Sequence, residues 1–260
     1  MVVVYAVSLS ILISGIPLVL QSTGILTMQR INVFYGFYHG ILTFLAVLAI
    51  VGVVLKRRDN KQVRNAWLYF LVGVILFIPT GITKTLIREE LEYLTKIMFL
   101  ISMVPIFFFT LSISKPMRML FLPRKRVRLI VIVSLLIILI LSSLIIVPLI
   151  FGNYEFIRGG KTSIFHLLDL FFHIVLLIPV IELLFIFGIN EGNFSYLLIS
   201  LGFLAGVFAY FPSIYQFFLS SRTLRGLAVF FGTLEISLFM MGAILEIGFC
   251  RESTPRESHH

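Results

Sequence analysis

Cysteine, tryptophan and acidic residues are nearly missing from this chain, and each shortage closes off a class of protein. One cysteine, Cys250, excludes a disulfide framework, a thiol redox pair and a Cys-rich metal site. Asp and Glu together number 12 in 260 residues and all charged residues make up 13%, too few to cover a water-soluble domain of this length. No nucleotide-binding loop occurs, and the intervals between apolar runs, about five to fourteen residues, leave no room for a soluble domain. The two halves share no pattern of Pro, Gly or charge, which argues against an internally duplicated transporter.

What remains is apolar: 59% of residues are hydrophobic and the mean hydropathy is +1.08. A run of about 20 apolar residues spans the ~30 Å hydrocarbon core of a bilayer at about 1.5 Å per helical residue. Such runs fall at about 2–21, 34–55, 66–84, 95–114, 128–151, 164–189, 195–218 and 225–249. They are continuous rather than alternating, which excludes strands. The expected fold is all-α, a polytopic membrane bundle of about eight transmembrane helices, with seven as the alternative count. Residues 1–250 form one integral membrane domain and 251–260 a polar, disordered cytoplasmic tail, whose two final histidines are left out of any site. The first run has no basic leader and is followed by Gln21-Ser22-Thr23-Gly24, so it reads as a helix that stays.

Basic residues set the orientation. Lys56, Arg57, Arg58, Lys61 and Arg64 follow the second helix, and Lys115, Arg118, Arg124, Lys125, Arg126 and Arg128 follow the fourth. The positive-inside rule places both loops, and with them both termini, in the cytoplasm of a multi-pass cell-membrane protein. The net charge of +9 therefore reads as topology rather than nucleic-acid binding. Arg57, Arg58, Arg124, Lys125 and Arg126 are expected to meet anionic lipid head groups, and loops 56–65 and 115–128 to offer surfaces to a protein partner.

Ionisable residues at depth carry the functional reading. In the sixth helix His166, Asp169 and His173 share one face, and an ionisable group at depth costs about 2.5 kcal/mol or more. His39 in the second helix and Glu235 in the eighth fall at similar depth, in the half of the membrane nearer the outside. Three chemistries fit this set. His39, Asp169 and His173 offer three ligands to a divalent metal such as zinc, with a position left for water. His39 with one helix-six histidine offers axial ligands to a haem. His39, His166, Asp169, His173 and Glu235 offer a ligand- or proton-binding site, or, more plainly, a polar contact between helices. Glu246 near the end of the last helix reads as a snorkelling surface residue.

The HxxxxxxH spacing and Tyr35, where a serine is expected, depart from seven-helix zinc hydrolases of the ceramidase type. Arg88-Glu89-Glu90 is not followed by the histidine motifs of intramembrane CAAX-type proteases, so neither family is claimed. The leading functional expectation is a non-enzymatic sensor- or transport-type bundle that binds a ligand, ion or lipid in a polar cavity between helices two, six and eight. A metal-dependent membrane hydrolase or transferase acting on lipid, and a structural subunit of a membrane complex, are the alternatives.

Overall fold

A computed structural model of the chain describes residues 2–23, 28–86, 92–121, 129, 133, 175–184, 186, 194–219 and 222–252. Among them the secondary structure is helical throughout: α1 (Val2–Ser22), α2 (Met28–Lys56), α3 (Lys61–Leu86), α4 (Glu92–Phe121), α5 (Val175–Leu184), α6 (Phe194–Leu219) and α7 (Arg222–Glu252). Four of these contain spans long and apolar enough to cross a membrane, Val2–Gln21, Val33–Lys56, Lys61–Ile78 and Gly226–Gly248. The chain is an all-α membrane bundle. The expected fifth helix and the first half of the sixth lie outside the described residues.

The helices run past the apolar limits read from sequence. α4 continues through Lys115-Pro116 to Phe121, where the sequence reading expected the start of a loop over 115–128. Hydropathy marks where side chains meet lipid, whereas the backbone ladder is just as favourable at the polar boundary. Between α2 and α3 the chain turns in four residues, and Asn60 caps α3 by accepting the Val63 amide on Oδ1 at 3.1 Å.

The polarity of the bundle is the reverse of a soluble protein's. Leu12, Phe37, Phe44, Leu48 and Leu55 lie on the outside, while Ser10, Ser14, Thr43, Ser102, Thr110, Ser200, Thr233 and Ser237 are buried. Hydroxyls survive inside because the helix itself satisfies them. Thr43, Ser200, Thr233 and Ser237 each donate to the carbonyl four residues earlier, at 2.7–2.8 Å.

Proline is handled locally. Pro17 lacks an N–H, so the Ile13 carbonyl has no helical donor. Tyr38 of α2 supplies one, its hydroxyl donating to Ile13 O at 2.7 Å. One turn away, Tyr35 donates to Pro17 O and contacts Gln21 Oε1 at 2.8 Å, stitching the same ends of α1 and α2.

The core is aromatic. Phe70 stacks on Phe109 at 4.6 Å between ring centroids and meets Phe239 edge-on at 5.0 Å; Phe203 lies 4.7 Å from Phe239. The lone tryptophan, Trp67, is fully buried beside them and donates to the Tyr196 hydroxyl at 3.3 Å.

Side-chain pairings fix the helix directions. A Cβ on Gly52 would touch Ile247, while toward the other end Tyr35 of α2 and Gly226 of α7 both meet Gln21 of α1, so α2 and α7 run parallel. Gly202 meets Phe239, Gly206 meets Glu235 and Gly242 meets Ser195, so α6 and α7 run antiparallel. The sequence holds two small-xxx-small motifs, Gly36-xxx-Gly40 and Gly202-xxx-Gly206, and the second makes the close approach. A Cβ at Gly40 would meet nothing within 4 Å.

Candidate functional site

A cavity lies between α3, α4, α5, α6 and α7, with about 10 Å³ of water-accessible volume, room for one water molecule. Val74 and Phe77 wall it from α3, Met103 and Ile106 from α4, Leu176 from α5, Phe203 and Gly206 from α6, and Ile236 and Phe239 from α7. Among the described residues, the single ionisable side chain in its lining is Glu235.

Local packing places that carboxyl. Gly206 has no side chain, and Glu235 occupies the room: a Cβ built there would fall 2.6 Å from the carboxyl carbon and from Oε1. Gly202, one turn earlier, brings the backbones together, its Cβ position lying 3.1 Å from Glu235 O. The carboxyl therefore rests on the α6 backbone with phenylalanine rings on the cavity side.

His39 lies nearby but in another layer. α2 and α7 run parallel, and counting thirteen residues back from the Gly52–Ile247 contact gives His39 and Leu234 at one level. The common depth expected for His39 and Glu235 is thus what the bundle has. Laterally, the imidazole faces Phe77 at 6.0 Å between ring centroids, and Phe77 in turn lines the cavity. Thr43 Oγ1 lies 3.5 Å from His39 Nδ1. His39 is not among the lining residues of this cavity. The cavity expected between helices two, six and eight depends on residues 164–174, which lie outside the described residues.

His166, Asp169 and His173 lie outside the described residues, as do Arg124, Lys125 and Arg126. Among the described residues no three His, Cys, Asp or Glu side chains come close enough to share a metal ion. Two of the three zinc ligands expected from sequence are therefore not placed.

A second ionisable centre was not anticipated. Glu246 is 0% exposed, and its Oε1 accepts from Arg57 Nε at 3.0 Å and from Nη2 at 2.5 Å. The reading of Glu246 as a snorkelling surface residue is wrong. Its position near a helix end implied exposure, but Glu246 sits on the face of α7 that packs against α2. Arg57, expected at the head groups, turns inward to this carboxylate with 27% of its side chain exposed. Lys56 donates to Ile247 O at 2.5 Å beside it, while Arg58 is exposed. The signal in the sequence was the excess of bases after α2 opposite an acid at the parallel end of α7. Without the helix order, that pairing had no address. Glu182 of α5 is also buried, at 6% exposure.

Compared with known proteins, the chain matches no family model, no curated protein and no solved structure.

Proposed function

We propose that this protein is a non-enzymatic, multi-pass cell-membrane bundle of transport type, in which Glu235 takes up and releases a proton. One observation carries the reading: a carboxyl seated on the Gly206 backbone in an aromatic cavity with room for a single water. Among the described lining residues one carboxyl stands with apolar side chains, an arrangement that suits a proton better than a metal cation, which needs several oxygen ligands. Ionisable groups inside a membrane are costly and commonly mark ion or proton pathways. The basic turn between α2 and α3 faces the cytoplasm in this reading, which puts both termini there and Glu235 in the outward half.

Proton movement into sealed vesicles holding the purified protein, driven by an imposed membrane potential and followed with an internal pH dye, tests it. Wild type is expected to exceed protein-free vesicles, and Glu235→Gln to fall to their level. Equal rates for wild type and variant, or no rate above the empty vesicles, would overturn the proposal.

A further inference from the structure

Glycines lock the described helices together in pairs. A Cβ on Gly73 of α3 would lie 3.1 Å from Ser102 O of α4, and one on Gly202 of α6 would lie 3.1 Å from Glu235 O of α7. Further along the second pair, the Gly242 position of α7 stands 2.8 Å from Ser195 O of α6. At each place a backbone carbonyl fills the room that a side chain would take, so the two helices interlock. Among the described residues α3 packs closely on α4 and α6 on α7, and no comparable backbone approach joins one pair to the other.

Rings run between the pairs. Phe70 of α3 and Phe109 of α4 meet Phe203 of α6 and Phe239 of α7 at centroid separations of 5.0–6.5 Å. Dispersion between rings is a sum of many small contacts and singles out no one partner atom, so such a layer re-forms after a shift. The cavity lies in this seam. Phe77 and Ile106 wall it from one pair, Gly206 and Phe239 from the other, and Glu235 belongs to the second. α2 is fastened to α7 at one end, where the Gly52 position touches Ile247, Lys56 donates to Ile247 O and Arg57 is tied to Glu246. The four-residue turn into α3 starts at that anchor.

We infer that α3 and α4 swing as one body against α2, α6 and α7, hinged at the turn 57–60, and that the swing opens and closes the room beside Glu235. Displacement grows with distance from a hinge. Glu235 lies one turn beyond the Phe70–Phe239 contact on the side away from the turn, where the seam parts first. Packed side chains have discrete arrangements rather than a continuum, so the far end moves between two positions about 5 Å apart, the scale of one helical turn. The inference deepens the proposed function and rests on it only for the proton as the cavity's occupant.

Spin labels on four exposed side chains test it, in full-length protein carrying Cys250→Ser and held in lipid nanodiscs. Ile97 of α4 and Phe208 of α6 lie toward the end remote from the turn, and Leu68 of α3 and Ile244 of α7 lie nearer to it. Pulsed electron–electron double resonance is expected to give two Ile97–Phe208 distances about 5 Å apart. Leu68–Ile97 and Phe208–Ile244, each inside one body, should give a single distance, and Leu68–Ile244 should shift least across the seam. Glu235→Gln should change the ratio of the two Ile97–Phe208 distances. A single Ile97–Phe208 distance in both backgrounds, or an equal shift inside either body, would overturn the inference. Two distances in the same ratio with and without Glu235 would uphold the swing and count instead against Glu235 as the proton-binding group.

Discussion

Glu235 and Glu246 lie eleven residues apart on one face of α7, about three turns or ~16 Å, in surroundings of opposite kind. Glu246 is closed in by an arginine fork and completely buried. Glu235 rests on a glycine backbone and borders a cavity walled by hydrocarbon and phenylalanine. Between them Phe239 and Ala243 form a dry layer, and Thr233 and Ser237 spend their hydroxyl protons on their own helix. The helix therefore carries two separate carboxyl sites rather than a continuous polar track. The arginine fork at Glu246 ties α7 to α2. At Glu235 the close contact is with the backbone of Gly206 on α6.

Breaking the paired site should produce the largest effect. Arg57→Ala leaves a buried carboxylate without its cation and is expected to destabilise by about 3 kcal/mol, the lower part of the range for buried pairs because Arg57 keeps some solvent contact. Thermal unfolding in detergent reads this. The double variant Arg57→Met with Glu246→Leu should recover most of the loss, since a well-packed apolar pair replaces the ionic one at little net cost.

The glycines sharpen the contrast at the next level. Gly242→Ala places a methyl 2.8 Å from the Ser195 carbonyl, a backbone atom that cannot swing away, and should cost about 2 kcal/mol in the same assay. Gly206→Ala meets only the Glu235 carboxyl, the far end of a flexible side chain. Its cost should stay below about 1 kcal/mol, while the reactivity of Glu235 changes because the carboxyl must move.

Smaller still is Tyr38→Phe, which leaves the Ile13 carbonyl without its donor and should cost about 1 kcal/mol. Smallest is Glu235→Gln. The amide keeps the shape of the carboxyl that fills the room at Gly206, so stability should change by no more than about 0.5 kcal/mol while the proposed proton binding is lost.

The class of fold was legible because long apolar runs in a charge-poor chain admit one solution, the lipid-embedded helix. Depth was legible too: topology alone set His39 and Glu235 at one level, and the parallel α2 and α7 agree. Lateral order was not legible, because in lipid the outward face of a helix is as apolar as the inward one and no amphipathic stripe reports its neighbours. That is why Glu246 was taken for a surface residue and why Phe77, the ring touching both His39 and the cavity, went unremarked. The close approach at Gly202-xxx-Gly206 was visible as a motif, but its partner, the Glu235 side chain, was not. The placement of His166, Asp169 and His173 lies outside the described residues.

The two carboxyls can be compared in one sample. Dicyclohexylcarbodiimide enters from the apolar phase and adds to protonated carboxyl groups but not to carboxylates. Peptide mass spectrometry of protein labelled in membranes near neutral pH reads Glu235 and Glu246 together, since both lie on α7. The account predicts an adduct on Glu235, absent in Glu235→Gln, with Glu246 unmodified. Labelling of Glu246 with Glu235 untouched, or equal labelling of both, would contradict the proposal that Glu235, and not the arginine-paired Glu246, is the proton-binding group.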